Sequence, residues 1–215
     1  MATETKVRVL GIDPGTRVAG YAILDIGRGR RVELVACGAI RMPAGPVPPR
    51  LEHLYRVLED LIVEHRPAAL AVETIFHGKS FQSVAKVGEA RGVVLVQARL
   101  HGLEIAEFPP ARVKKTVTGN GAASKLQVQR MVTRLLGLEE PPEPADVSDA
   151  IAIAFCYGHR RERQRLAGRE PVREIARRSR SAQREKWQAL VAKAEARARS
   201  RTTKSAQARS GQSGV

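Results

Sequence analysis

The chain contains little cysteine and no long apolar run. Its 215 residues include only Cys37 and Cys156, which cannot form a disulfide framework and lack the neighbouring ligands of a zinc site. No uncharged apolar stretch reaches the ~18 residues that a membrane helix needs, and residues 1–6 lack the apolar region of a signal peptide. The sequence therefore predicts a soluble, cytoplasmic protein without a membrane span.

Acidic residues are scarce in the last quarter of the chain. Residues 160–215 contain 17 Lys and Arg but 5 Asp and Glu, whereas residues 1–159 contain 20 and 17, so the net charge of +15 divides into +12 and +3. An excess of this size favours a nucleic-acid partner. Because the basic segment has few large apolar residues, we predict a folded domain over 1–159 and a flexible tail over 160–215, with a short helix near 181–199.

Hydrophobic patterning predicts an α/β fold with helices on both faces of a sheet. Apolar runs at 7–12, 20–26 and 32–40 are joined by short turns, which predicts three antiparallel strands. Helical spacing then predicts a helix over 49–65, and a continuous apolar run predicts a strand over 68–72 parallel to the first. The remaining predicted elements are a helix over 80–100, a strand over 103–108, and helices over 110–117, 124–136 and 145–158. The sheet is therefore mixed and five-stranded, with three antiparallel strands followed by parallel ones.

Four acidic residues fall where these elements can bring them together. Asp13 ends the first strand and Glu73 ends the fourth, and α/β sheets bind ligands at the carboxyl ends of their strands. Asp146 and Asp149 are three residues apart at the start of the last helix, so they share one face. Carboxylates without His or Cys favour Mg²⁺ or Mn²⁺, and two such ions can hold the attacking and leaving oxygens of a phosphodiester.

Structural roles offer an alternative for three of these residues. Asp13, followed by proline and glycine, can be a turn residue, and Asp146 can cap the helix after Pro144. Asp149 is favoured near a helix start by the helix dipole. Glu73 directly follows a buried strand and is harder to explain in this way. Spacing alone supports a metal site and purely structural roles about equally.

No acidic residue occurs between residues 108 and 138. Lys125 lies at a predicted helix start, where positive charge is unfavourable, which suggests an anionic partner such as phosphate. Phe76 follows Glu73 closely and can stack on bases, although a core position is the commoner fate of a lone aromatic residue. A solvated helix face is the alternative for the basic residues, which are Arg112, Lys114, Lys115, Lys125, Arg130 and Arg134.

Six segments resemble the RuvC family of bacterial Holliday-junction resolvases. Each alone is weak, and the first is also similar to the phosphate loop of actin-like ATPases, but six in this order and spacing are specific. The resemblance covers residues 7–157 and excludes the tail. The segments are 10–21 (LGIDPGTRVAGY), 72–76 (VETIF), 88–92 (GEARG), 112–119 (RVKKTVTG), 125–129 (KLQVQ) and 145–154 (ADVSDAIAIA).

The resemblance implies a ribonuclease-H-like fold and a homodimer that nicks two opposed strands of a four-way DNA junction, leaving 5′-phosphate ends. It implies two Mg²⁺ or Mn²⁺ ions per active site and a partnership with the RuvA–RuvB branch-migration complex. The family's acidic metal ligands correspond to Asp13, Glu73, Asp146 and Asp149.

The resemblance also implies DNA contacts. The family's DNA-contacting lysines correspond to Lys114 and Lys125, and its junction-wedging aromatic residue corresponds to Phe76. We add Arg112 and Lys115 as expected DNA-binding residues because they lie in the same acid-free segment.

Three alternative functions fit the sequence less well. A related nuclease that processes RNA would not explain the basic block from Lys114 to Lys125 near Phe76. A junction-binding protein without catalytic activity would not need four carboxylates. An actin-like ATPase needs two duplicated lobes, which 215 residues cannot supply.

The helix over 80–100 is a candidate dimer interface because small and β-branched residues permit close approach. These residues are Val84, Val87, Gly88 and Ala90.

Overall fold

The computed structural model describes residues 6–74 and 81–168. Its strands are β1 (Val7–Asp13), β2 (Val18–Ile26), β3 (Val32–Arg41), β4 (Ala69–Glu73) and β5 (Glu104–Phe108). Its helices are α1 (Val47–His65), α2 (Phe81–Leu100), α3 (Pro110–Thr118), α4 (Lys125–Leu136) and α5 (Ala145–Leu166), with a 3₁₀ turn at Arg28–Arg30 between β2 and β3.

The sheet is mixed and five-stranded, in the order β3-β2-β1-β4-β5. β2 is antiparallel to both β1 and β3, whereas β4 is parallel to both β1 and β5. Ile12 of β1 is paired with Val72 of β4, so the next residue of each strand, Asp13 and Glu73, leaves the sheet at the same edge. The predicted fold class and strand pairing are confirmed.

Separate apolar clusters cover the two faces of the sheet. One cluster joins α1 and α2 to the sheet and includes Leu54 and Leu58 of α1 with Val94 of α2. The other joins α3, α4 and α5 to the opposite face and includes Val113 and Val132. Helices therefore lie on both faces, as predicted, and α1 buries the side chains that its apolar spacing indicates.

α5 lies against β1 and β2 at a distance that only glycine permits. A Cβ atom added to Gly20 would lie 1.9 Å from the main-chain oxygen of Asp146, and one added to Gly11 would lie 2.3 Å from that of Ala150. Gly20 is the antiparallel partner of Asp13. The close approach therefore places the first turn of α5 beside the end of β1.

The predicted end of the last helix is wrong. α5 continues past Gly158 to Leu166, and its extension is held by contacts that are distant in sequence. The Arg160 guanidinium forms an ion pair with Glu104 and lies 5.1 Å from the Tyr157 ring centroid. The predicted domain boundary after residue 159 falls inside this helix. Residues 169–215, with the helix predicted near 181–199, lie outside the described residues.

The other boundaries differ from the prediction by at most two residues. Ser80, the predicted cap of α2, lies outside the described residues. Both cysteines are free, and burial raises the pKa of the Cys156 thiol to about 11, as suits a packed apolar group. No helix in the described ranges combines the length and apolar character needed to cross a membrane.

Candidate active site

The four predicted carboxylates are supplied by three elements that meet at one edge of the sheet. Asp13 and Glu73 end the adjacent parallel strands β1 and β4, while Asp146 and Asp149 lie in the first two turns of α5. The capping alternative for Asp146 is wrong, because the N-cap residue is Pro144 and no side-chain cap bond is formed. Asp13 is the last residue of a strand rather than a member of the following turn.

Three of these carboxylates form a tight cluster. Asp13, Asp146 and Asp149 each offer an oxygen atom, and the three oxygens lie within 4.8 Å of one another. All three side chains are half-buried. Glu73 is outside this cluster but lies close enough to raise the pKa of Asp13. The sheet edge thus concentrates negative charge at one place.

The pKa of Asp13 shows the cost of this crowding. Burial, the largest cause, and the negative charges of Asp149, Glu73 and Asp146 together raise it from 3.8 to about 7. Lys125 acts in the opposite sense. Carboxylates held together in this way need a counter-charge, and hard oxygen ligands without nitrogen or sulfur suit Mg²⁺ or Mn²⁺. The donor set therefore fits a divalent metal ion.

Lys125 supplies positive charge to the same cluster. Its ammonium Nζ lies 2.9 Å from Oδ2 of Asp149, and this bond raises the pKa of Lys125. The N-terminus of α4 is satisfied separately by a capping box between Ser124 and Gln127. The sequence suggested a phosphate as the anion beside Lys125, whereas the anion in the structure is Asp149.

A cleft of about 670 Å³ opens over the carboxylates. Asp13, Glu73, Asp146 and Lys125 line it, and so do three basic residues for which the sequence analysis gave no role. These are Arg17, Lys86 and Arg91. Arg17 and Arg91 lie within segments that carry the family resemblance, and this resemblance is the sequence signal that could have identified them as cleft residues. Lys86 lies outside those segments and gave no sequence signal.

The other predicted DNA-binding residues lie outside this cleft. Lys114 is half-buried, whereas Arg112 and Lys115 are exposed on α3. Arg112 lines a second groove, between α3 and the end of α5, together with Arg160 and Arg163. Phe76 lies outside the described residues. Among the predicted DNA contacts within the described ranges, only Lys125 lines the carboxylate cleft.

Comparison with known proteins identifies the family. The family described as crossover junction endodeoxyribonuclease RuvC matches residues 9–157. The chain belongs to the RuvC family. RuvC of Pelotomaculum thermopropionicum is 46% identical over 152 residues, covering 70% of this chain and 92% of the relative. RuvC of Moorella thermoacetica is 45% identical over 166 residues, covering 75% and 99%.

Solved structures of the RuvC family have the same fold. Thermus thermophilus RuvC in complex with a Holliday junction substrate superposes with a TM-score of 0.69 at 30% identity, covering 73% of this chain and 96% of that one. A second structure of T. thermophilus RuvC gives a TM-score of 0.66 at 31% identity, covering 75% and 97%. The yeast mitochondrial Holliday junction resolvase Ydc2 shares the fold at 15% identity, with a TM-score of 0.57 over 76% of this chain and 82% of that one.

Proposed function

We propose that this chain is a structure-selective endonuclease that resolves four-way DNA junctions by hydrolysing phosphodiesters in two opposed strands, in recombination and repair. Membership of the RuvC family supports the reaction, since the family is named for crossover junction cleavage. The acidic cluster at the sheet edge is the observation that carries the proposal, because hydrolysis by this chemistry needs clustered oxygen ligands.

Asp13, Glu73, Asp146 and Asp149 are the proposed metal ligands and catalytic residues. When bound, two Mg²⁺ or Mn²⁺ ions would lower the pKa of the attacking water and neutralise charge on the leaving 3′ oxygen. Asp13 is the central ligand in this proposal, because the other three carboxylates all raise its pKa. Its ionised form is disfavoured in the protein alone and would be favoured beside a cation.

The proposed DNA contacts are Lys125 in the cleft, three residues of α3 outside it, and Phe76. Lys125 would bind the scissile phosphate, since its ammonium is already at the carboxylates and 68% of its side chain is exposed. Lys114, Lys115 and Arg112 would hold more distant phosphates from α3, and their contribution would be electrostatic and independent of base sequence. Phe76 would help to unstack the centre of the junction.

The proposal includes a homodimer, because two-fold symmetry of the protein would match that of the junction. Val96 and Leu100, which are exposed apolar residues one turn apart on α2, support dimer formation through this helix. Ala90, which the sequence analysis included in the interface, is buried in the protein's own core and cannot contribute to it. We further propose action in the cytoplasm and partnership with the RuvA–RuvB complex, on the basis of the family.

Junction cleavage by Asp13→Asn tests the proposed function. The wild-type chain with Mg²⁺ or Mn²⁺ and a mobile four-way junction should give paired nicks at symmetric positions with 5′-phosphate ends. Asp13→Asn should lose cleavage and retain junction binding, because the change removes a metal ligand but no phosphate contact.

Two substrates of matched sequence complete the test. A linear duplex should be cut far more slowly than the junction, and so should an RNA–DNA hybrid. Preferential cleavage of the hybrid, or normal junction cleavage by Asp13→Asn, would contradict the proposal.

A further inference from the structure

Arg91 links the end of the strand that carries Glu73 to the neighbouring strand. Its Nε donates a hydrogen bond of 3.2 Å to the main-chain oxygen of Glu73, and its Nη2 forms an ion pair with the carboxylate of Glu107. One planar guanidinium thus joins α2 to the ends of β4 and β5. Neither the sequence nor the proposed mechanism assigns a role to Arg91, which belongs to the 88–92 segment.

The position of Arg91 is fixed by burial as well as by these bonds. Its side chain is only 16% exposed, although it lines the cleft above the carboxylates. The ion pair with Glu107 satisfies its charge away from the metal ligands. A fixed, neutralised guanidinium of this kind orients its neighbours rather than acting as a mobile phosphate-binding group.

Glu73 is the proposed ligand that most needs such support. The other three carboxylate groups form one compact cluster, and two of them share the rigid first turns of α5. Glu73 instead stands at the last position of the five-residue strand β4. Its main-chain oxygen accepts the hydrogen bond from Arg91 at that end of the strand.

We infer that Arg91 is a positioning residue for metal binding: its guanidinium, held by Glu107, fixes the main chain of Glu73 and so the placement of that carboxylate. The inference rests on the metal-ligand role proposed for Glu73. Groups that orient metal ligands typically contribute 10–100-fold to metal affinity when they are removed. The effect should therefore appear in metal binding before any DNA is present.

Arg91→Lys provides the sharpest test because it preserves the positive charge. An ammonium is a point donor and cannot form the same two directional bonds, so electrostatic repulsion of the metal ion stays constant while the geometry is lost. Mn²⁺ titrated into the DNA-free protein should bind about ten-fold more weakly. Junction affinity measured in EDTA should remain within about two-fold of wild type.

Arg99→Lys is the matched control. Arg99 lies on the same helix, is exposed, and forms no side-chain hydrogen bond or ion pair among the described residues, so the Mn²⁺ affinity of Arg99→Lys should equal that of the wild type. Unchanged Mn²⁺ affinity of Arg91→Lys with weaker junction binding would overturn the inference in favour of a phosphate contact. Unchanged affinities with a lower melting temperature would overturn it in favour of a purely structural role.

Glu107→Gln keeps the test decisive if Arg91→Lys does not fold. Glu107 is a more exposed surface residue, and its removal releases the guanidinium while leaving Arg91 in place. The variant should also bind Mn²⁺ more weakly, and the double variant should be no weaker than Arg91→Lys alone. Wild-type affinity in Glu107→Gln, or additive losses in the double variant, would contradict positioning.

These measurements are independent of the proposed cleavage reaction. Mn²⁺ binding by the wild-type chain without junction cleavage would refute the proposed function and leave the role of Arg91 intact.

Discussion

The ammonium of Lys125 lies 2.9 Å from Oδ2 of Asp149, inside the carboxylate cluster, so a cation from the chain already neutralises part of the site. Lys125 also lowers the pKa of Asp13, whereas Asp149, Glu73 and Asp146 raise it. Lys125 and a divalent ion would therefore compete for the same oxygens. This competition leads to opposite expectations for metal binding and for catalysis.

Lys125→Met should bind Mn²⁺ more tightly and cleave junctions more slowly. Loss of one like charge near the ion is worth about 1 kcal/mol, which corresponds to roughly five-fold tighter binding in the DNA-free protein. Cleavage should fall at least about ten-fold because the phosphate loses a cation close to the reacting atoms. Calorimetric titration and single-turnover cleavage measure the two effects. Lys115→Met should leave Mn²⁺ affinity unchanged, and weaker Mn²⁺ binding by Lys125→Met would contradict the competition.

Gly20→Ala should separate α5 from the sheet. The added Cβ would lie 1.9 Å from the Asp146 main-chain oxygen, so the helix start must move, at a cost of about 1–3 kcal/mol. Cleavage should be lost because Asp146 moves with it. Gly92→Ala is the control: its Cβ would meet no atom within 4 Å, and alanine in a helix should raise stability by about 0.5–1 kcal/mol. Urea unfolding measures the free energy of unfolding of both variants. Equal values for Gly20→Ala and Gly92→Ala would contradict the close approach of α5 to Gly20.

In the metal-free protein, the stability that Asp13 contributes should fall as the pH rises from about 4 to about 7. The pKa of Asp13 is about 7 in the folded chain against an ordinary 3.8, so in this window the folded state holds a proton that the unfolded state has released. At pH 7.5 in EDTA, Asp13→Asn should therefore be more stable than wild type by on the order of 1–3 kcal/mol. The difference should vanish near pH 4, as measured by urea unfolding across the range.

Asp25→Asn is the control, because it should change the stability at pH 7.5 in the direction opposite to Asp13→Asn. Arg8 holds the pKa of Asp25 below its ordinary value through a bidentate pair, so the ionised form is stabilised in the folded chain. That contribution is present at neutral pH and is lost as the pH falls through the folded-state pKa. Asp25→Asn should therefore be less stable than wild type at pH 7.5. Destabilisation by both substitutions at pH 7.5 would contradict the raised pKa of Asp13 in the folded chain.

Val96→Asp should convert the proposed dimer into monomers. Val96 is 54% exposed on α2, next to Leu100 at 66%, and a buried aspartate without a partner opposes association. Val63→Asp offers a matched control, because Val63 is 59% exposed on α1, away from the proposed interface. Light scattering after gel filtration should give a monomer mass for the first variant and the wild-type mass for the second. A monomer mass for Val63→Asp and the wild-type mass for Val96→Asp would contradict the α2 interface and indicate one on α1.

Removal of residues 169–215 should weaken junction binding and reduce its salt dependence. The segment contains 13 Lys and Arg against 4 Asp and Glu, and each lost phosphate contact lowers the salt slope by about 0.9. The truncation begins after α5, because Arg160 packs on Phe108 and Tyr157 in the folded unit. Nick positions should not change. An unaltered slope in binding titrations at several salt concentrations would exclude the segment from DNA contact.

The sheet and the acidic site were predictable because they follow from local patterns. Apolar alternation and short turns identify the strands, and Asp13 and Glu73 stand where two buried runs end. Asp146 and Asp149 share a face because of helical geometry alone. The strand order then brings Asp13 and Glu73 to one edge, and the packing of α5 on β1 and β2 places Asp146 and Asp149 beside them.

Other features depend on contacts between distant parts of the chain. The extension of α5 needs Glu104 and Phe108 to hold Arg160, and no local signal near residue 158 indicates them. The pairing of Lys125 with Asp149 joins the starts of two helices, so the sequence suggested an external anion instead. The need for glycine at position 20 becomes visible only when the Asp146 main chain is seen above it.

The placement of α5 has a consequence for synthesis of the protein. α5 is the last described element, yet it supplies two of the four carboxylates and covers the first two strands through Gly11 and Gly20. A ribosome must therefore release nearly the whole folded unit before the acidic cluster can form. Incomplete chains that end before α5 would retain the basic α3 and α4 but lack Asp146 and Asp149, so under the proposed mechanism they would be unable to cleave DNA.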